Sequence, residues 1–430
     1  MNEFAPILCL ALFCLLLVQL PFLLAFASAV GKYVSAARSP QAAKAALEAP
    51  TPPITVVLCV RGADPFLPAC LEGLLNQDYP DYRLRITIDS PDDPAWAVVE
   101  RTVKGHPAAV QVSSLKDRLL TCCLKCSSLV QALSDLDPDC QVVAILDADV
   151  VPHRTYLREL VAPLADSRIG VASGNRWYVP VWNQWGSLVR YVFNASAVMQ
   201  MHAYKMPFGG AIAFKADILR RSPLLERWSR SLTDTPVLAG VFREQGLGVA
   251  FVPSLMMGNF ESCELPSFIS WMKRQLLMVR LYHPPAKWWA IVAHGTIIST
   301  IPALSVGLLL ASAFTGQWGA FAAIAIGIIV YGLGSLSILV VLDDCVRKVL
   351  KTPGEKPVPA FSPANLAQIL LAIPLMQFVY PLALYSVMLM RDVRWRGIRY
   401  EVRGPWDIKL AEYQPYSPTQ QFANSNTSVF

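Results

Sequence analysis

The hydrophobic pattern splits the chain into apolar ends and a mixed middle. Residues 5–30 (APILCLALFCLLLVQLPFLLAFASAV) hold no charge. They exceed the roughly 20 residues that cross a hydrocarbon core. Three further apolar stretches lie at about 289–314, 318–342 and 366–390, and nothing of this kind interrupts 31–287. The pattern predicts an N-terminal transmembrane anchor over 5–30, a central domain over 51–264 and an interfacial helix over 265–288. A cluster of membrane helices follows, with a basic tail over 391–430. A cleaved signal peptide is the competing account of 5–30. The run is long for one, and Glu3 stands where basic residues should precede it.

Within the middle, short β-rich runs alternate with helical ones. Ile54–Val60 (ITVVLCV) is a continuous apolar run of the parallel-sheet kind. Arg61-Gly62-Ala63-Asp64 then opens a helix with Leu67, Leu71, Leu74 and Leu75 at helical spacing. Leu84–Ile88, Val142–Leu146 and Ile169–Ser173 are the next strands, the first two stopping at Asp89 and Asp147. Such alternation implies a mostly parallel sheet covered on both faces. Ligands of these sheets sit beyond the carboxyl ends of the strands.

Composition narrows the class. Hydrophobic residues make up 54%, charged residues 16%, and mean hydropathy is +0.40. A water-dissolved chain carries about 25% charge, so neither a wholly soluble nor a disordered protein fits. The formal charge of +6 is too diffuse for a nucleic-acid partner. Basic flanks orient the segments: Lys32, Arg38 and Lys44 after the first span place the central domain in the cytosol, with Arg347, Lys348, Lys351 and Lys356 on the same side. A full crossing at 366–390 would then put Arg391, Arg394, Arg396, Arg399 and Arg403 outside, against the rule. Pro374 and Pro381 leave a re-entrant or interfacial hairpin as the alternative. Ten scattered cysteines suggest free thiols rather than disulfides, and Cys122, Cys123 and Cys126 lack the second pair a zinc site needs.

The acidic strand ends carry the candidate chemistry. Asp147-Ala148-Asp149 puts two carboxylates one residue apart directly after an apolar strand, a pattern able to hold Mg²⁺ or Mn²⁺ with a diphosphate; the plain alternative is a solvated turn. Asp89 and Asp93 follow the second strand, and Asp234 sits in Ser-Leu-Thr-Asp-Thr-Pro-Val. Gly209-Gly210 allow a substrate to lie against the main chain. Trp271, Arg274 and Gln275 lie in a basic, aromatic segment just before the membrane.

The order strand–RGAD, QDYPDY, D…DDPA, LDADV, FGGAIAFK, TDT and WxxRQ resembles an inverting family 2 glycosyltransferase, in particular the ceramide glucosyltransferase-like (family 21) group. Trp395-Arg396-Gly397-Ile398-Arg399-Tyr400 matches that group's W-R-x-x-R-Y tail. Two boxes depart from it. The family's Q/R-x-x-R-W reads Trp271-x-x-Arg274-Gln275 here, and its Glu-Asp reads Thr233-Asp234. Alignment on DPA selects Asp93 as the first acidic motif, whereas alignment on the strand end selects Asp89.

The resemblance implies an α/β GT-A (nucleotide-diphospho-sugar transferase) domain inserted between the membrane segments. It also implies a UDP-sugar donor, with glucose the leading sugar, and a ceramide-like lipid acceptor. Arg61 and Asp89 or Asp93 would bind the nucleotide. Asp147 and Asp149 would hold the divalent cation, and Gly209 and Gly210 the acceptor. Asp234 would be the general base, Arg274 would steady the departing diphosphate, and Trp271 and Gln275 would trap UDP. It further implies a bacterial inner membrane with the catalytic domain cytosolic, where the sequons at Asn194 and Asn426 have no meaning.

Duller accounts stand beside each role. Asp234 could be a helix N-cap, and Lys273 with Arg274 a phospholipid-facing stripe. Trp288-Trp289 read as an interfacial belt, and His153, His202 and His283 show no ligand spacing. The amphipathic stretch Trp185–Met206 is a candidate for acceptor entry. A processive polysaccharide synthase is the rival enzyme, and a scaffold with a degenerate transferase domain the rival class.

Overall fold

The computed structural model describes residues 2–39, 49–106, 109–350 and 358–416. Lys44, Lys351, Lys356, Asn426 and the tail from residue 417 lie outside the described residues.

The apolar run Ile54–Val60 forms β1, an interior strand of a seven-stranded sheet. Its alternate residues Ile54, Val56, Leu58 and Val60 enter one core, while Val57 enters the core on the other face. Burial on both faces is why the run has no polar period. Tyr82–Ile88 (β2) and Ala109–Ser114 (β3) extend the sheet on one side, and Val142–Leu146 (β4) lies on the other. All four are parallel.

Beyond β4 come Ala211–Lys215 (β6), Ile169–Tyr178 (β5) and Gly248–Asn259 (β7), giving the order β3-β2-β1-β4-β6-β5-β7. β6 alone runs antiparallel to its neighbours, so it enters the sheet at the edge where β4 leaves. β5 runs past the expected Ser173 to Tyr178, with register irregularities at Ile169/Val171 and Ser173/Asn175. This mixed sheet with helices on both faces is a GT-A-like fold.

The N-terminal run forms two helices, Phe4–Leu17 and Leu20–Ala37, longer than the expected 5–30. Pro21 stands at the start of the second, where it has no N–H to donate backwards. Pro285–Phe314 and Trp318–Arg347 form long apolar helices, each reaching past its expected boundary. Asp343, near the end of the latter, is buried in the domain and accepts from Trp177 Nε1 at 3.3 Å and the Tyr191 hydroxyl at 3.0 Å. Among the described residues, four segments are long and apolar enough to cross a membrane, which fits a membrane protein.

Pro363–Met388 is one unbroken helix despite Pro374 and Pro381, not a hairpin. Near its start Gln368 donates to Asn183 at 3.2 Å, and at its end the carbonyls of Met388 and Met390 accept from Arg280 at 2.9 and 3.0 Å. Its start is thus tied to the central domain and its end to the helix Leu265–Tyr282, while Gln377 donates to the Tyr331 hydroxyl and Tyr385 meets Thr296 on the two long apolar helices. Its inner face buries Ile369, Ile373, Met376, Tyr380 and Leu384, while Leu371, Phe378, Leu382 and Tyr385 point outward.

The tail differs from the expectation. Asp392–Trp395 (β8), Ile398–Gly404 (β9) and Asp407–Tyr413 (β10) form an antiparallel sheet. Val393, Ile398, Tyr400, Val402, Ile408 and Leu410 join the core of the catalytic domain. Arg396 and Gly397 both have positive φ, 47° and 77°, as a two-residue hairpin of primed type requires.

Candidate active site

The sheet brings its acidic strand ends to one edge. β1 delivers Arg61, β2 Asp89 and β4 Asp147 and Asp149. Because β6 is antiparallel, Gly209-Gly210 at its start reach the same edge, and the Asp147 N–H donates to the Gly210 carbonyl at 3.2 Å. Asp234 arrives from the far side, at the head of the helix Thr235–Glu244.

Asp147 and Asp234 are joined by Lys125. Its Nζ lies 2.7 Å from Asp147 Oδ1 and 3.0 Å from Asp234 Oδ2. Lys125 occupies the first turn of the helix Leu124–Leu133, the end at which a cation opposes the helix dipole. Burial further disfavours its charge, but Asp147 and Asp234 outweigh that and raise its pKa well above the usual lysine value. Burial works against the charge on Asp147 too, yet Lys125 and Arg176 hold its pKa below the usual range. Asp234 stands at the N-cap position, but its side chain makes no capping bond. Its carboxylate is turned to Lys125 instead.

Arg176 from β5 pairs with Asp149 at 2.7 Å. Burial raises the Asp149 pKa, with Arg176 opposing. Neither Lys125 nor Arg176 was anticipated from the sequence. Each is the only charge in a long uncharged stretch, 119–133 for Lys125 and 169–185 for Arg176, and that isolation is the signal that could have found them.

Asp89 and Asp93 separate clearly. The Asp89 carboxylate pairs with Arg61, accepts from the Tyr413 hydroxyl at 2.9 Å and faces Arg118 at 3.7 Å. Asp93 is occupied by the main chain, accepting from Gly62 N at 3.0 Å and Ala95 N at 2.9 Å. Gly62 has φ +80°, and a Cβ there would stand 2.4 Å from the Tyr416 ring. The tail hairpin closes over this corner. Arg396 donates to the Arg61 carbonyl at 2.8 Å and pairs with Asp64 at 3.3 Å, while its own carbonyl accepts from Arg61.

Arg274 is buried under the ring of Trp395, 4.9 Å from its centroid. Burial, then Arg396 nearby, pull its pKa down to about 10. Trp271 packs into an aromatic group, stacked on Phe268 at 6.0 Å and edge-on to Phe193 and Tyr178. Gln275 is half-buried on the same helix. Glu261, after β7, feels Asp64 and Asp149, and burial raises its pKa to about 7.

The donor set fits a hard divalent cation shared with a diphosphate. Asp147 directs Oδ2 over Gly210, where a Cβ would stand 3.1 Å from that oxygen and 2.6 Å from the Phe208 ring. A side chain at residue 210 would fill that cradle. Among the described residues no group of three or more His, Cys, Asp or Glu side chains could hold a metal alone, so the remaining ligands would come from substrate oxygens and water.

The remaining candidate side chains have their own packing. The ten cysteines are free, and Cys123 Sγ caps its helix by accepting from Cys126 N at 3.4 Å. Asn194 is buried, donating to the Arg176 carbonyl and accepting from Tyr178 N, both at 3.2 Å. His202 packs edge-on against Phe26 and Phe251, and His153 against Tyr156.

The GT-A-like sheet gathers its carboxylates beyond its strand ends, where ligands of such sheets bind. The family described as Glycosyl transferase family 21 matches residues 17–406, and the chain belongs to that family. Ceramide glucosyltransferase of Komagataella phaffii is 32% identical over 62 residues, 14% of this chain and 12% of that one. The chain therefore aligns with only a small part of that relative's length. Among solved structures, a mannosyltransferase from Pyrobaculum calidifontis in complex with GDP-Man and Mn²⁺ is 18% identical, with TM-score 0.46, over 80% of this chain and 98% of that one. Glucosyl-3-phosphoglycerate synthase from Mycobacterium tuberculosis with Mn²⁺ and UDP is 14% identical, with TM-score 0.33, over 51% and 75%.

Proposed function

We propose that the protein transfers a hexose, with glucose the leading sugar, from a UDP-sugar to the hydroxyl of a membrane lipid of ceramide-like chemistry, inverting the anomeric carbon. The observation that carries this reading is the shared ammonium. Lys125 holds Asp147, a diphosphate-side carboxylate, beside Asp234, an acceptor-side one.

Asp234 takes the proton of the lipid hydroxyl as that oxygen bonds to the anomeric carbon. The bond from that carbon to the UDP phosphate oxygen breaks in the same displacement, so the electron pair leaves with UDP. Asp147 and Asp149 would hold Mg²⁺ or Mn²⁺, which when bound supplies Lewis-acid neutralisation of the leaving diphosphate. Arg274, desolvated beneath Trp395, adds fixed positive charge on the same side. Arg61 and Asp89 position the nucleotide, with Asp93 shaping the loop that carries Gly62. Gly209 and Gly210 give the acceptor close access to the main chain.

The domain faces the cytosol in this reading. The helix Pro363–Met388 lies in the bilayer interface, with Leu371, Phe378 and Leu382 toward lipid. Because its start is tied to the domain and its end to the helix Leu265–Tyr282, which in this reading lies at the cytosolic interface, the arginines after it remain on the cytosolic side and the charge rule is kept. The active site is thereby held at headgroup level, where a lipid hydroxyl lies. A bacterial inner membrane suits this arrangement.

Purified protein in vesicles containing ceramide, supplied with radiolabelled UDP-glucose and Mn²⁺, should give a single-sugar glycolipid. Long polymer would replace this reading with a polysaccharide synthase, and absence of metal-dependent turnover with any UDP-hexose would remove it.

A further inference from the structure

A cavity of about 950 Å³ opens where the helix Leu265–Tyr282 gives way to the apolar helix Pro285–Phe314. Its walls are of two kinds. Trp288, Trp289 and Leu389 form an apolar side, with Trp289 59% and Leu389 87% exposed. Arg391, Arg399 and Arg403 form a basic side.

The charges do not cancel. Arg280 also lines the cavity, so four arginines face only Asp392 and Glu401. Arg280 is committed to the carbonyls of Met388 and Met390, and Arg399 to Glu412 at 2.7 Å. Arg403 meets Glu401 only at 3.5 Å, with 66% of its side chain open to solvent, and Arg391 is exposed. The cavity therefore joins loosely held guanidinium groups to a tryptophan wall, at the foot of an apolar helix.

We propose that this cavity binds the phosphodiester headgroup of an anionic phospholipid. Guanidinium groups match a phosphate in charge and geometry, and tryptophan rings favour the level at which headgroups sit. A neutral lipid alcohol offers nothing for the arginines, which separates this pocket from an acceptor entry. It is also set apart from the donor site: Arg280 follows Arg274 by six residues, about 9 Å along the helix. The proposal rests on Pro285–Phe314 spanning the bilayer.

The test is reconstitution of the full chain in nanodiscs of mixed phosphatidylcholine and phosphatidylglycerol, followed by mass spectrometry of retained lipid. Wild type should retain phosphatidylglycerol above its input fraction. Arg391→Gln with Arg403→Gln should lower that enrichment by at least about fivefold, without moving the thermal midpoint by more than a few degrees. Arg403→Lys, which keeps the charge, should retain most of it. Brominated phosphatidylglycerol should quench wild-type tryptophan fluorescence more than that of Trp289→Phe. Equal enrichment in wild type and the double variant would overturn the proposal. So would displacement of the lipid by soluble glycerol phosphate, which would make the site one for a free phosphate. Failure of the wild-type chain to enter nanodiscs would instead strike the span itself, and the pocket with it, while leaving turnover on a detergent-dispersed acceptor to be judged separately.

Discussion

The Tyr413 hydroxyl donates to Asp89 Oδ2 at 2.9 Å, joining residues 324 positions apart. The Arg118 guanidinium lies 3.7 Å above the same tyrosine ring, and Arg61 pairs with the same carboxylate. Tyr413→Phe should keep the ring and lose the hydrogen bond, at a cost of about 1 kcal/mol in stability. The KM for the donor should rise about threefold to tenfold with kcat little changed. Steady-state kinetics at saturating acceptor would check this, and a fall in kcat alone would place Tyr413 outside the nucleotide corner.

Asp234→Asn is nearly isosteric and removes the proposed base. It should lower kcat by about 10²- to 10⁴-fold, while UDP affinity measured calorimetrically stays within about threefold. Retained turnover would assign the proton to another group.

Lys125→Met leaves Asp147 and Asp234 facing each other without their cation. The variant should lose about 3 kcal/mol and nearly all activity. Adding Asp234→Asn should recover much of the lost stability, because the two residues act as a unit. Additive losses in chemical denaturation would count against the bridge.

Gly210→Ala places a methyl group against the Phe208 ring and beside Asp147 Oδ2. UDP affinity in Mn²⁺ should drop about tenfold, roughly 1.4 kcal/mol, with little change in metal-free buffer. Chelation should silence the wild-type enzyme, and added Mn²⁺ or Mg²⁺ should restore it.

Burial raises the Glu261 pKa from 4.5 to about 7. Between those values the folded protein keeps a proton that the unfolded chain has released, so stability falls as pH rises through that window. The full shift corresponds to at most about 3 to 4 kcal/mol, and partial exposure reduces it. Glu261→Gln should therefore raise the melting temperature more at pH 8 than at pH 5. An equal effect at both would show that Glu261 is already ionised in the folded protein.

How much of this was visible in the sequence depended on burial geometry. β1 and β4 are covered on both faces, so they appear as uninterrupted apolar runs, and the carboxylates that end them mark the ligand edge. The edge strand β3 carries no such run. Lys125 and Arg176 could not be assigned partners because what pairs them is the meeting of distant strands and helices. The tail hid its sheet for another reason: arginines and glutamates alternate with Val393, Ile398, Tyr400 and Val402, and the charge drew attention away from the period. Pro363–Met388 is apolar around most of its circumference. Its composition therefore does not distinguish crossing a bilayer from lying along one.

The hairpin that bears Arg396 and the strand that ends at Tyr413 have a consequence for biosynthesis. A ribosome releases Asp89 and Asp147 early, whereas these two residues emerge after the four apolar segments found among the described residues. The corner around Asp89 is then closed only after those helices have left the ribosome. A nascent chain stalled before that point would leave the Asp89 corner open, without the Tyr413 hydroxyl and the Arg396 contacts that close it.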